Sequence, residues 1–314
     1  MTVIRAHTAP VLIGAVALIG VLAARAADET GDGPRSSGSD IRVDSLLVLI
    51  PVSVTDLRNR PVTGLASHQF RVFEGKAEQK VVGLSREDAP LSVGIVFDAS
   101  GSMAGKLAKA REAVQELLKR ANPEDEFFLV TFSGTAKVAV PFTGNAGDIA
   151  ARLMFADSGG KTALLDAIYL GLHYMKNAGN ARRALLVISD GGENDSRYSE
   201  RELRAMLREG GVAVYAIGIY ARGVPALPEE ERSGPKLLTD LAEQSGGRHF
   251  AVNSANELPG AAAKIGLELR NQYVLAYRPE GGAEDGKYRR VQVKLVAPRD
   301  LRLSWRPGYY ARRR

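Results

Sequence analysis

The chain has 314 residues, of which 45% are hydrophobic, so it can bury the core of one large domain and a smaller one. It contains no Cys and only four His, which excludes disulfides, thiolate zinc sites, iron–sulfur clusters and Cys nucleophiles; any bound metal is expected to have oxygen ligands. The formal net charge of +6 is mild and spread along the chain, so no nucleic-acid partner is predicted.

Residues 1–26 have the pattern of a secretory signal peptide. Arg5 and His7 precede an apolar run that ends in Ala24-Arg25-Ala26. This run is shorter than the roughly 18 residues of a spanning helix. We therefore expect cleavage after Ala26 and a secreted or periplasmic protein without a membrane span, with an uncleaved signal anchor as the alternative. Residues 27–41 are rich in Gly, Ser and acids, which is typical of a flexible linker.

Both ends of the remaining chain have β patterns, in residues 42–89 and 271–311. The predicted strands cover residues 46–54, 70–73, 80–82, 272–277, 288–296 and 301–305, with a hairpin turn at Glu74-Gly75-Lys76. Neither segment is long enough to bury two faces by itself. We expect the two segments to pair into one small β module, followed by a basic tail at residues 312–314.

Between these segments, residues 90–270 alternate strands and helices. Strands are predicted at 92–97, 126–132, 137–142, 184–189, 212–219 and 249–252, and helices at 106–120, 147–154, 163–176, 237–244 and after a capping box at Ser199 and Glu202. The Pro-rich stretch 221–235 is interpreted as a loop. This alternation predicts an α/β domain with a doubly wound, mainly parallel sheet, in which ligands bind outside the carboxyl ends of the strands.

Polar side chains follow two of the predicted strands. Asp98, Ser100 and Ser102 come directly after the first one, Asp190 follows the strand at 184–189, and Thr162 ends a Gly-rich loop at the start of a helix. Two carboxylates and three hydroxyls form a hard-oxygen ligand set that suits Mg²⁺, with Mn²⁺ or Ca²⁺ as alternatives. The sequence therefore predicts one divalent metal site with a position open to an incoming carboxylate.

This pattern resembles the metal-ion-dependent adhesion site of von Willebrand factor type A domains. Asp98-x-Ser100-x-Ser102, Thr162 after a Gly pair, and Asp190 before a Gly provide every element of that site. The resemblance covers about residues 91–270, and the flanking β segments are similar to those of exported bacterial proteins related to von Willebrand factor A. It implies a Rossmann-like domain inserted in the β module. It also implies that the three hydroxyls bind the metal, while the two aspartates hold coordinating waters or bind directly.

The predicted site is compatible with more than one class of function. In the favoured interpretation the chain is not an enzyme but a binding module, in which Mg²⁺ bridges to an Asp or Glu of a protein ligand. A metal-dependent hydrolase is the first alternative. It is less favoured because no His lies at a strand end and both carboxylates are committed to the metal, so there is no evident general base. An envelope scaffold protein with a non-essential metal site is the second alternative. The sequence indicates neither the partner nor the oligomeric state.

Overall fold

The computed structural model describes residues 47–86, 88–220, 229–279, 285–296 and 300–311. The predicted signal peptide, the linker and the basic tail lie outside these residues. Within the described ranges, no helix is both long enough and apolar enough to cross a membrane.

Fourteen strands and six α-helices are present in the described part of the chain. The strands are β1 (Val48–Thr55), β2 (Phe70–Glu74), β3 (Ala77–Gln79), β4 (Val81–Ser85), β5 (Leu91–Asp98), β6 (Glu126–Phe132), β7 (Ala136–Thr143), β8 (Arg182–Ser189), β9 (Ala213–Ile219), β10 (His249–Val252), β11 (Tyr273–Tyr277), β12 (Tyr288–Leu295), β13 (Arg302–Trp305) and β14 (Gly308–Tyr310). The helices are α1 (Leu107–Leu118), α2 (Ala146–Met154), α3 (Leu164–Tyr174), α4 (Glu200–Gly210), α5 (Glu229–Ser245) and α6 (Leu258–Arg270).

Six strands form a central sheet in the order β10-β9-β8-β5-β6-β7. The pairs from β10 to β6 are parallel, and β7 is antiparallel to β6 at one edge. Every residue of β5 is buried, because the strand has a neighbour on each side and helices cover both faces of the sheet. The predicted α/β fold with a mainly parallel sheet is therefore confirmed.

The helices divide between the two faces of this sheet. Buried side chains of α1, α2 and α6, such as Val114 and Ile265, pack on one face. Those of α3, α4 and α5, such as Ile168 and Leu203, pack on the other. The predicted capping box is present at the start of α4, where Ser199 and Glu202 each bind the backbone of the other. This two-sided coverage is the doubly wound arrangement.

The terminal segments form two four-stranded antiparallel sheets. In one sheet, β1 lies between β11 and β13, with β4 on the far side of β11; in the other, β2 lies between β3 and β12, with β14 beside β12. Both sheets contribute to a single apolar cluster that includes Val52, Val72 and Leu275. The predicted β module, built from both ends of the chain around the inserted α/β domain, is therefore present.

Three details of the expected secondary structure are wrong. The strand that pairs with β2 across the turn is β3, whereas β4 joins the other sheet beside β11. Helix α5 begins at Glu229, inside the stretch interpreted as a loop, and contains Pro235. Helix α6 lies in a segment for which the sequence predicts no element; its Pro259 occupies the first turn, where its missing N–H costs no hydrogen bond.

The direction of β5 separates the β module from the predicted metal site. The strand begins at Leu91, shortly after β4, and ends at Asp98. Eight residues of extended chain span roughly 23 Å. The carboxyl edge of the central sheet therefore lies at the end of β5 that is remote from its connection to the β module.

Candidate metal centre

The five predicted ligands lie on three loops at the carboxyl edge of the central sheet. Strand β5 ends at Asp98, and the neighbouring parallel strand β8 ends at Ser189, directly before Asp190. The pairing of Phe97 with Ile188 places Asp98 and Ser189 at the same level of the sheet. The third loop, between α2 and α3, carries Thr162.

Asp98 is fully buried, and both of its carboxylate oxygens accept hydrogen bonds. Oδ1 accepts the backbone N–H of Ser100 at 2.8 Å, and Oδ2 accepts the hydroxyl of Ser189 at 2.5 Å. Burial raises the pKa of Asp98 to about 6, against the opposing effect of these hydrogen bonds, and the charge of Asp190 adds to the rise. The carboxylate is therefore fixed in position but costly to keep ionised.

The two serines are presented by the turn that follows Asp98. Their hydroxyl oxygens are 3.1 Å apart; Ser100 is buried, whereas Ser102 is exposed. A short 3-10 helix over Gly101–Met103 carries Ser102 and leads towards α1. Alternate residues of this turn therefore direct their hydroxyls to one point, as the Asp-x-Ser-x-Ser spacing predicts.

Backbone contacts bring the Thr162 loop against this turn. The N–H of Gly159 donates to the carbonyl of Ala99 at 2.9 Å, and the N–H of Gly101 donates to the carbonyl of Gly160 at 3.1 Å. Gly160 has φ +80°, a left-handed conformation that favours glycine. The Gly pair before Thr162 thus allows the close approach of the two loops.

The loop that follows β8 contacts Thr162 from the other side. The Asn194 side chain accepts the N–H of Thr162 at 3.0 Å, and the Asn194 N–H donates to the Thr162 carbonyl at 3.1 Å. A Cβ placed on Gly192 would lie 3.6 Å from the Thr162 hydroxyl oxygen and 3.9 Å from Oδ1 of Asp190. The Thr162 hydroxyl and the Asp190 carboxylate therefore border the same small space.

The two oxygens of Asp190 have different surroundings. Oδ2 accepts a hydrogen bond from the Lys106 ammonium at 2.8 Å. Oδ1 is buried and has no hydrogen-bond partner among the described residues. A buried carboxylate oxygen without a donor is costly, so this atom is the one in the cluster that most needs a cation or a donor.

The donor set fits a hard divalent cation. It consists of two carboxylates and three hydroxyls, and Mg²⁺ is commonly bound by one or two carboxylates with water in the remaining positions. Among the described residues, no group of three or more His, Cys, Asp and Glu side chains is arranged to hold a metal ion. The two aspartates would balance the charge of a divalent cation without exceeding it, so the cation could still accept a further anionic ligand.

Two more acidic residues near Asp190 have structural partners. Glu193 accepts the N–H of Leu165 at 2.8 Å, near the start of α3, and the N–H of Ser196 at 2.9 Å. Asp195 pairs with Lys161 at 2.8 Å. These contacts stabilise the loops around the site.

Three residues in contact with the predicted ligands were not identified from the sequence: Ser189, Asn194 and Lys106. Ser189 donates to Asp98 and accepts the N–H of Gly191 at 3.0 Å, so it couples the two aspartate loops. The position of Ser189, directly before an aspartate at a strand end, is a signal that sequence analysis could use. The contact of Lys106 with Asp190 joins residues 84 positions apart and has no local sequence signal.

Comparison with known proteins supports the fold of the α/β domain. Residues 93–193 match the von Willebrand factor type A domain. The matched segment covers about a third of the chain and runs from β5 to the loop after β8, so it includes all five predicted ligands. The α/β domain has the fold of a von Willebrand factor type A domain, and the antiparallel sheets of the β module lie outside the matched segment.

Individual relatives are distant. An uncharacterised protein of Borreliella burgdorferi is 24% identical over 199 residues, which are 56% of this chain and 57% of that protein, so the match spans little more than half of the relative's length. The solved structure of a von Willebrand factor type A protein from Catenulispora acidiphila is 13% identical, covers 87% of this chain and 75% of that one, and superposes with a TM-score of 0.50. A BatB protein from Bacteroides thetaiotaomicron is 22% identical with a TM-score of 0.45, covering 56% of this chain and 97% of that one.

Proposed function

We propose that this chain is an exported protein-binding module whose site takes Mg²⁺ and, through it, an acidic side chain of a protein ligand. The observation that carries the proposal is the buried Oδ1 of Asp190, which has no donor among the described residues and borders the same space as the Thr162 hydroxyl. Asp98, Ser100, Ser102, Thr162 and Asp190 are the proposed ligands. When bound, Mg²⁺ would supply an electrophilic position for the ligand carboxylate.

The chain's own residues prepare the site before any ligand arrives. The hydrogen bonds from Ser100 and Ser189 fix the Asp98 carboxylate, and the Asn194 side chain fixes Thr162. Such supporting contacts reduce the loss of side-chain freedom on metal binding and commonly change affinity by about 10- to 100-fold. The site is therefore a rigid set of oxygens on a buried sheet edge.

Binding is a better interpretation of the site than hydrolysis. In the described part of the chain, the groups that contact the Asp98 and Asp190 carboxylates are hydroxyls, backbone N–H groups and the Lys106 ammonium. None of these is an imidazole or a free carboxylate that would take a proton from a nucleophilic water. A binding role needs no such group.

The proposed location follows from the sequence. The signal-peptide pattern of residues 1–26 supports secretion or a periplasmic location. Von Willebrand factor type A domains are often adhesion or interaction modules, which agrees with a protein partner. The loops around the metal site would contact that partner beyond its carboxylate.

Metal binding is tested by titrating the purified protein with Mg²⁺ in a calorimeter. Thr162→Val keeps the size of a buried side chain and removes the hydroxyl, so we expect the dissociation constant to rise at least about tenfold. Thr63→Val makes the same change at an exposed position of the β module and should bind Mg²⁺ as the wild type does. Absence of Mg²⁺ and Mn²⁺ binding to the wild-type protein would disprove the proposal.

The carboxylate ligand is tested by capturing partners from an envelope extract on the immobilised protein. Retention of a specific partner is expected in Mg²⁺, with loss in EDTA and loss in the Asp98→Ala variant. The captured protein is then identified by mass spectrometry, and its acidic residues are changed to amides one at a time. A partner retained equally in Mg²⁺, in EDTA and by Asp98→Ala would contradict the metal-bridged mode.

A further inference from the structure

A lysine of the site's own loop contacts one of the proposed metal ligands. The Nζ atom of Lys106 lies 2.8 Å from Oδ2 of Asp190, and the lysine is the residue directly before α1. Ser100 and Ser102 lie in the same loop, between β5 and α1. Two hydroxyls of the proposed site and this ammonium therefore come from one loop. The ammonium and the proposed metal would therefore bind the same carboxylate.

The surroundings of this pair differ from those of other lysine pairs in the described residues. The Asp190 side chain is only 8% exposed, whereas Lys109–Glu112, Lys119–Glu116, Lys161–Asp195 and Lys287–Asp285 all join side chains that are at least 28% exposed. Exposed pairs contribute little, but a buried carboxylate depends on its counter-charge. Lys106 is the only cationic side chain described in contact with the two site aspartates.

Lys106 can leave Asp190 without a change in the fold. Its backbone is held by hydrogen bonds from its N–H to the Met103 carbonyl and from the Ala110 N–H to its own carbonyl. The side chain is 29% exposed, so solvent is accessible to it. Rotation of the four-carbon stem is enough to move the ammonium into water, where it is strongly hydrated.

We propose that Lys106 is a tethered counter-cation, which neutralises Asp190 in the metal-free protein and is displaced from that carboxylate when a divalent cation binds. The inference rests on the metal site of the proposed function and adds that its affinity is set by competition with an ammonium of the same chain. A cation beside Asp190 repels the Lys106 ammonium, and breaking the ion pair opposes metal binding.

Removal of the ammonium tests this competition. Lys106→Met keeps an apolar stem of similar length, and we expect it to bind Mg²⁺ about tenfold more tightly than the wild type, since the metal no longer displaces a cation; this equals about 1.4 kcal/mol. Lys106→Arg keeps the charge and should stay near the wild-type affinity. Lys109→Met makes the same change in net charge three residues further along α1, at an exposed pair with Glu112, and should also leave the affinity unchanged.

The experiment measures Mg²⁺ dissociation constants by calorimetry at one ionic strength, and unfolding temperatures in EDTA and in saturating Mg²⁺. Lys106→Met is expected to show the tighter binding, a lower unfolding temperature in EDTA and a larger rise on adding Mg²⁺. Lys106→Gln serves as a second neutral variant if the methionine variant does not fold.

The outcomes distinguish a failure of the proposed competition from a failure of the proposed metal site. Equal affinity of the wild type and the neutral variants, or weaker binding by the neutral variants, would overturn the competition while leaving the metal site in place. Mg²⁺ binding by the wild type that becomes about tenfold tighter in the neutral variants supports the competition. No binding by any variant overturns the metal site and the competition together.

Discussion

Asp98 lies at the end of β5 and Asp190 directly follows the neighbouring strand β8, yet their carboxylates have different hydrogen-bond partners and different nearby charges. Asp98 is buried among neutral donors, the Ser100 N–H and the Ser189 hydroxyl, and no cationic side chain is described in contact with it. Asp190 shares one oxygen with the Lys106 ammonium and leaves the other without a donor among the described residues. The loop after β5 thus holds a fixed carboxylate whose buried charge costs free energy. The loop after β8 holds a carboxylate whose counter-charge, the Lys106 ammonium, is proposed to be displaced by a metal.

The largest effect is expected from Asp98→Asn. The amide cannot supply the anionic oxygen, so Mg²⁺ affinity should fall by more than about 100-fold. In EDTA at pH 7, however, the free energy of unfolding should rise by about 1 to 3 kcal/mol, because an amide avoids the cost of the buried charge that raises the pKa of Asp98 to about 6. Calorimetry and urea unfolding measure the two quantities. A clear loss of stability in EDTA would show that the charge is compensated after all.

For Asp190→Asn we expect the free energy of unfolding in EDTA to fall, whereas it should rise for Asp98→Asn. This change leaves the Lys106 ammonium without its partner, so the free energy of unfolding in EDTA should fall by about 0.5 to 1 kcal/mol; the loss is limited because the lysine can turn to solvent. Mg²⁺ binding should again be strongly weakened. Urea unfolding in EDTA compares this variant directly with Asp98→Asn. If both variants changed the free energy of unfolding by the same amount in the same direction, the two carboxylates would not differ in their electrostatic surroundings as described.

The smallest effect concerns the pH dependence of stability, and it separates Asp98 from His249, a half-buried base on β10. Burial lowers the pKa of His249 to about 4, and its ring contacts the Thr239 hydroxyl at 2.8 Å and that of Tyr220 at 3.2 Å. A lowered His pKa means that stability is lost as pH falls from about 6.5 towards 4, since the unfolded chain takes up the proton first. A raised Asp pKa has the reverse effect: its stabilising contribution is lost as pH rises through about 6.

Unfolding free energies in EDTA at pH 4 to 7 test these signs. Relative to the wild type, His249→Gln should lose less stability on acidification, whereas Asp98→Asn should lose more. His173→Gln, at an exposed position of α3, is the matched control for the first variant and should follow the wild type. A His249→Gln curve parallel to that of the wild type would contradict the neutral state of this half-buried ring.

Much of the architecture was predictable because it depends on local patterns. Short apolar runs that alternate with amphipathic stretches predict a parallel sheet with helices on both faces. The motif residues at the ends of β5 and β8 must then meet at one edge, since parallel strands share their carboxyl ends. Elements with mixed local signals were less predictable. Pro235 suggests a loop before the helix predicted at 237–244, but α5 already begins at Glu229, and α6 has a proline in its first turn.

The sequence by itself determined the absence of sulfur ligands, the alternation of strands and helices in the α/β domain, and the five oxygen-bearing side chains of the proposed metal site, because composition and spacing along the chain are sufficient for these. The tertiary structure decided which sheet β4 joins, how Ser189 links the two aspartate loops and which cation contacts Asp190. Those contacts join residues that are far apart in the chain, and no short sequence pattern encodes a pairing across 84 residues. Folding brings Lys106 to Asp190, and burial of that carboxylate makes the contact energetically important.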